Sequence, residues 1–379
     1  MKNVIFTNAR LVLADRVVGG TLAAQGDSIT DISEGNSNLP SAFDCEGDYL
    51  IPGLIELHTD NVERHIRPRH NTFWPADAAI MGHDREIAAA GITTVFDSLC
   101  VGIHDRAIPM EILNTIHRIV EMPESTGFLK ADHYFHWRCE VPNGHVLEQL
   151  STMLHFNRLR MLSVMDHTPG QRQFTDLDRY ANYHRGLLRV NDDQMTSFIT
   201  DRIADHHANS TKHRTAVVAL AHEHGLKLAS HDDATMAHVE EAARDGMVIA
   251  EFPTTVEAAR ASHAAGIRVM MGAPNVVRGG SHTGNVSADE LGAQGVLDIL
   301  SSDYLPSSLL YGATLLAERS DNITLPQAIA TVTSSPARAV GLDDRGELAV
   351  GLRADMVRFR MIEGAPIIRD VWRGGMKVA

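Results

Sequence analysis

The sequence is short of cysteine. Cys45, Cys100 and Cys139 are spread over 379 positions with no CxxC pair, which excludes a disulfide-built scaffold and a thiolate metal knuckle and fits a reducing compartment. It also lacks excess positive charge: 34 Lys and Arg stand against 48 Asp and Glu, a formal balance of −14. With no long Lys/Arg run, nothing provides a general field for nucleic acid, and no nucleic-acid partner is expected. Long apolar runs are missing too. No stretch approaches a bilayer span, and the N-terminal MKNVIFTNARLVLADRVV has no unbroken apolar core of the signal-peptide kind. The expectation is therefore a cytoplasmic protein without a membrane partner. Neither GxGxxG nor GxxxxGK[ST] occurs, which argues against a nucleotide-binding doubly wound sheet.

What remains is a chain of ordinary globular composition, long enough for a large core or for a barrel with an appended piece. Residues 1–50 read as half-buried strands with Gly turns (VIFTNARLVL, TLAAQ, SITDIS), and residues 345–379 read likewise (GELAV, ADMVRFRM, APIIRDVWR). Two β-rich ends around a different middle predict one small β-rich domain built from both termini, with residues 51–344 as the second unit. In the middle, eight short apolar runs end in polar or turn residues: LIPGLIELHTD, GITTVFDSL, LKADHYFHWRCE, LRMLSVMDH, LKLASHDD, MVIAEFP, IRVMMGAP and ILSSD. Helical patterns separate most of them. After MVIAEFP, for example, Thr254 is placed to cap a helix with Glu257 completing the box, and Gly266 to end it. Eight strand–helix units predict an α/β fold of the (β/α)8 TIM-barrel type. The long polar segment from TPGQRQF to HEHG is either a cover over the barrel mouth or a surface insertion.

The C-terminal strand ends of such a barrel meet at one mouth. Strand one brings Glu56, His58 and Asp60 to one face by the period of two, so His58 and Asp60 can point at one metal. Strand three brings His136, Arg138 and Glu140. Strand four ends in Asp166-His167, strand five in His231 with Asp232 and Asp233, strand six in Glu251 and strand eight in Asp303. Any one of these has a bland explanation: Asp232 or Asp233 as a helix cap, Asp166 as a partner that orients His167. A carboxylate or histidine at nearly every strand end is not what a stable core needs, because unpaired buried charge is costly. The set predicts a divalent ion, with zinc first and manganese or iron as alternatives, one or two ions in number. Cys139 points the other way, into the barrel wall. Asp303 is placed to accept a proton from water. A second group, Arg67, Arg69, Arg138, Arg172 and Arg278 with Gly279, Gly280, Gly284 and the nearby His282 in RGGSHTGN, suits an anion, through guanidinium forks and backbone N–H groups. The bland alternative is that these arginines pair with the chain's own carboxylates.

The β-rich start, PGLIELHTDN, and the closing DRGELAVGLRADMV resemble the amidohydrolase superfamily. HDREIAAAGITTVFDS, DHYFHWRCE, SVMDHTPGQRQF, LASHDDAT, VIAEFPTT, MGAPNVVRGGSHTGNV and DILSSDYLPSSLL resemble one of its branches, the alpha-D-ribose 1-methylphosphonate 5-triphosphate diphosphatase family of the carbon–phosphorus lyase pathway. In that branch His58-Thr59-Asp60 replaces the superfamily's usual HxH. The resemblance implies cleavage of a sugar triphosphate to the 5-phosphate and pyrophosphate in phosphonate catabolism. It also implies metal ligation by His58, Asp60, Glu140, His167, His231 and Asp303, with Asp303 catalytic; for substrate binding, the arginine and glycine reading above points to Arg69, Arg138, Arg172, Arg278, Gly279, Gly280 and His282. Lys130 starts strand three, too far from Glu140 to serve as a carbamylated bridge. Homo-oligomerisation is open. The alternatives are hydrolysis of an amide, cyclic amide or amino-heterocycle, and a metal-free, non-catalytic binding protein.

Overall fold

A computed structural model describes residues 3–69, 72–102, 108–122, 125–173, 177–188, 191–281 and 284–379. Five strands come first: β1 (Asn3–Val12), β2 (Val17–Gln25), β3 (Ser28–Glu34), β4 (Phe43–Asp44) and β5 (Tyr49–Pro52). Eight follow: β6 (Leu54–Thr59), β7 (Ile92–Val101), β8 (Asp132–Glu140), β9 (Leu159–Met165), β10 (Lys227–His231), β11 (Ile249–Glu251), β12 (Arg268–Gly272) and β13 (Ile299–Ser301). The chain closes with β14 (Met356–Ile362), β15 (Ala365–Arg373) and β16 (Met376–Lys377).

Strands β6 to β13 run in sequence order as one parallel sheet. It closes into a barrel where Thr59 bridges Asp303 in parallel. Hydrogen bonds from Asp303 N–H to His58 O (3.1 Å) and from Asp60 N–H to Asp303 O (3.2 Å) complete the seam. Each strand is buried on both faces, as β7 shows, where every residue of ITTVFDSLCV but Cys100 is buried. That burial is why the strands read as apolar runs rather than alternations. Inward residues Ile55, Leu57, Phe96, Tyr134, Met161, Ala229, Ile249, Met270 and Ile299 fill the barrel, so its interior is a packed core. Outward residues, Cys139 among them, pack against the helices.

The other sheet runs β16-β15-β14-β5-β1-β2-β3, with β4 beside β1. It takes strands from both ends of the chain because β14 pairs antiparallel with β5, Met356 opposite Pro52. An ion-pair hub ties it to the N-terminal end of the barrel: Asp132, at the start of β8, meets Arg345 at 2.8 Å, Arg353, and Arg373 at 3.5 Å.

Two local expectations shift. The helix after β11 is capped by Thr255, whose hydroxyl accepts from Ala258 N–H at 3.1 Å, so neither Thr254 nor a box with Glu257 starts it. The segment after β9 forms helices Leu177–Leu188 and Asp192–Glu223. The second packs on the outer side of the β8 and β9 ends, with Asn209 donating to Pro142 O at 2.8 Å and His213 to Val141 O at 3.0 Å. Among the described residues no helix is long and apolar enough to cross a membrane.

Candidate metal centre

Glu56 and His58 of β6 are both fully buried, and the β6–β7 register shifts between Glu56 and Thr59, so the end of the strand departs from strict alternation. Glu56 lies below His58 and accepts two backbone N–H groups, His58 at 2.6 Å and Ser302 at 2.5 Å. Burial outweighs those bonds and raises its pKa to about 8. Its role is to hold the β6–β13 seam that sets His58 and Asp303 side by side.

Three histidines gather at the mouth. The rings of His58 and His231 stack with centroids 5.7 Å apart, and His167 meets His231 edge-on at 5.4 Å. His167 Nδ1 lies 2.6 Å from Glu140 Oε2, and its backbone N–H donates to Glu140 Oε1 at 2.9 Å. His231 Nδ1 lies 2.9 Å from Glu251 Oε2. With both Nδ1 atoms engaged by carboxylates, the Nε2 atoms of His167 and His231 face Asp232 Oδ2, at 3.7 and 3.5 Å. His167, His231 and Asp232 thus form one group with metal-ligand spacing, and His58, His136 and Glu251 form another. Burial opposes the charge on His167, but Glu140 outweighs it and raises its pKa. Burial lowers the pKa of His231 and so favours the neutral imidazole a metal takes.

Several buried atoms here have no hydrogen-bond partner: His58 Nε2, Asp60 Oδ1, Asp232 Oδ2 and Arg138 Nε. Buried polar atoms are normally satisfied. Two carboxylate oxygens and an imidazole nitrogen left bare at one mouth fit a divalent cation that accepts O and N ligands. Asp303 has its pKa raised by burial, to which Asp60 adds. Burial opposes the charge on Arg138, yet Cys100 and the carboxylates of Asp60, Glu251 and Asp303 more than offset it and raise its pKa. Arg138 is therefore a fixed cation inside the barrel mouth.

Asp232, Phe252 and Asp303 carry left-handed backbone, with φ of 56°, 54° and 55°. Each follows a barrel strand and donates its N–H to the next strand around, to Glu251 O, Met270 O and His58 O. Such conformations cost about 1–2 kcal/mol per residue and cluster where function demands them. This turn aims Asp232 at the mouth. The helix that follows is capped by Thr235, so the cap reading for Asp232 and Asp233 is corrected. The orienting role read for Asp166 is corrected too: it accepts from His206 (2.6 Å) and Ser210 (3.0 Å) on the outer helix, and Glu140 is the residue that holds His167.

The anion-binding expectations divide. Arg138 faces the mouth. Arg172 does not: it is buried in ion pairs with Asp233 and Glu241 (3.3 Å), donates to His231 O at 3.3 Å, and lines a cavity of about 210 Å³ outside the barrel. Its fork is used up in bracing the β10 end, so the substrate role foreseen for it is corrected. Arg278 is exposed at the end of helix Ala273–Arg278. Gly279 and Gly280 donate their N–H groups to Val276 O (3.1 Å) and Asn275 O (2.8 Å). Those donors close the helix and form no anion cradle. Arg69 is exposed on the loop after β6. His282 lies outside the described residues.

A further buried group escaped the sequence reading. His83 Nε2 lies 2.7 Å from Asp97 Oδ1, and His133 bridges Asp97 (2.8 Å) and Asp84 (3.2 Å), behind the β7–β8 wall. Asn61, next to Asp60, donates to His83 Nδ1 at 3.1 Å. An aspartate at an outward position of an otherwise apolar strand was the available signal.

The amidohydrolase family model matches residues 85–370. The chain is 44% identical over 376 residues to alpha-D-ribose 1-methylphosphonate 5-triphosphate diphosphatase of Escherichia coli (strain K12), covering 99% of this chain and 100% of that protein. Imidazolonepropionase of Deinococcus deserti is 30% identical over 195 residues, 47% of this chain and 48% of that protein. Among solved structures, 5-methylcytosine deaminase from Klebsiella pneumoniae liganded with phosphonocytosine superposes with a TM-score of 0.64 at 15% identity, over 100% of this chain and 98% of that one. At that identity the likeness is one of fold alone.

Proposed function

We propose, on the premise that this chain belongs to the amidohydrolase family, that it is a metal-dependent hydrolase of phosphonate catabolism. Its reaction is cleavage of alpha-D-ribose 1-methylphosphonate 5-triphosphate to the 5-phosphate and pyrophosphate. The observation that carries this reading is the 44% identity to the E. coli enzyme along its full length. The mouth suits the chemistry. His58, Asp60, Glu140, His167, His231 and Asp303 are assigned to one or two divalent ions, zinc first, and Asp232 joins them on its unpartnered oxygen. Such an ion supplies Lewis acidity that makes hydroxide available near neutral pH and offsets charge on phosphoryl oxygens.

The protein's own side chains do the rest. Asp303, with its raised pKa, is suited to accept a proton from the attacking water. Arg138, half-buried among carboxylates, binds and orients the phosphoryl oxygens and takes up charge as it grows on them. Arg278 and Arg69, exposed beyond the strand ends, reach for the outer phosphates. Gly279 and Gly280 give the turn that presents Arg278, and His282 follows them in the chain.

Incubating the zinc-loaded protein with the sugar triphosphate tests this. One pyrophosphate per 5-phosphate formed is the expected result. Release of orthophosphate alone, or turnover of amide and amino-heterocycle substrates in its place, overturns it.

A further inference from the structure

We propose that Glu251 is the positioning residue of the centre, one buried carboxylate that fixes the Nδ1 sides of both His58 and His231 so that both Nε2 atoms face the mouth. The proposal rests on the metal-centre reading above. Glu251 ends β11, directly beside His231 at the end of β10, and it has no exposed surface. Its Oε2 lies 2.9 Å from His231 Nδ1 and accepts from Ser163 Oγ at 2.8 Å. Its Oε1 lies 3.0 Å from His58 Nδ1, off the line of a hydrogen bond, and 3.6 Å from His136 Nε2. The two oxygens therefore address rings on opposite sides, His58 from β6 and His231 from β10, which stack across the mouth.

A carboxylate only accepts, so His231, hydrogen-bonded to Glu251 through Nδ1, carries its proton there and keeps the Nε2 lone pair free; Glu251 Oε1, 3.0 Å from His58 Nδ1, favours the same tautomer at His58. Histidine ligands depend on such a partner for tautomer and ring orientation. Ser163 stands between His136 and Glu251. Strand six thus contributes the carboxylate that aims the ligands of its neighbours.

The test uses the full chain and three variants: Glu251→Gln, which keeps size but turns an amide donor toward one ring, Glu251→Asp, too short to reach both, and the milder Ser163→Ala. Histidine 15N spectra of the metal-free protein report tautomers, with the two signals assigned through His58→Asn and His231→Asn. Zinc affinity comes from chelator competition. Wild type should show Nδ1–H at both rings. Glu251→Gln should lose it at one or both and bind zinc about 10–100-fold more weakly, with little change in melting temperature. Glu251→Asp should keep it at one ring only, and Ser163→Ala should weaken zinc less. Unchanged tautomers, or zinc affinity within twofold of wild type in both Glu251 variants, overturn the proposal. Should Glu251→Gln fail to fold, Glu251→Asp and Ser163→Ala decide by the same readouts. Wild type that shows both Nδ1–H tautomers yet takes up no zinc leaves the Glu251 clamp standing and sinks the metal reading.

Discussion

The backbone N–H of Asp303 donates to the carbonyl of His58 at 3.1 Å, so the last barrel strand delivers its carboxylate beside the first strand's histidine. Glu56 reinforces the seam by accepting from His58 N–H and Ser302 N–H. Barrel closure and assembly of the centre are one structural event. Damage to the seam should therefore be felt as lost metal binding before it is felt as lost fold.

Replacing Asp303 by Asn removes the proposed proton acceptor while keeping shape and backbone bonds. We expect kcat to fall by about two to four orders of magnitude with the melting temperature near wild type. Full turnover in that variant would show that the proton goes elsewhere.

The arginines should separate by their surroundings. Arg138→Ala removes a cation from the mouth and should lower kcat/KM for the triphosphate at least about 100-fold. Arg278→Ala should raise KM for the triphosphate more than for a monophosphate ester. Arg172→Ala breaks buried ion pairs and should cost about 3–5 kcal/mol of stability, read by denaturant titration, with KM for the triphosphate unmoved. A large KM effect there would return Arg172 to the substrate.

Asp132 is the counter-charge for Arg345, Arg353 and Arg373, at the barrel end away from the mouth. Asp132→Ala leaves three cations short of a partner and should destabilise the protein by about 3–5 kcal/mol. Zinc content per folded chain should stay at the wild-type value. Lost zinc at normal stability would contradict this division between a stabilising end and a working end.

His133 gives a pH signature. Burial works against its charge, but Asp97 and Asp84 outweigh it and raise its pKa to about 10. A raised folded-state value means the unfolded chain gives up its proton first, near the ordinary histidine value of 6.5. The stabilisation is therefore complete below that value and is lost as pH rises through the folded-state value. The melting temperature of wild type should fall between those limits, and His133→Gln should have a lower and flatter profile there. Parallel slopes for the two proteins would show that His133 is not charged in the fold.

The barrel was legible because both faces of each strand are buried, which turns strands into short apolar runs, and because polar residues interrupt those runs at their C-terminal ends. The gathering of charged side chains at the mouth was legible through side-chain parity: His58 with Asp60, and Arg138 with Glu140. Asp232 was not, since a left-handed residue after β10 breaks the parity rule and mimics a helix cap. Arg172 was misplaced because sequence reveals a cation but not the carboxylates of Asp233 and Glu241 that claim it. Gly279 and Gly280 were read as donors to an anion, when a glycine past a helix is first a helix stop. The His83–Asp97–His133 group lies on the outer face of the wall, where no strand-end argument looks.

Crystals of the zinc-loaded protein, measured at the zinc absorption edge, test the central claim most directly. We predict anomalous density at the mouth, in contact with His58 Nε2 and the carboxylates of Asp60 and Asp303. Density absent there, or found only at His83, Asp97 and His133, would contradict the account.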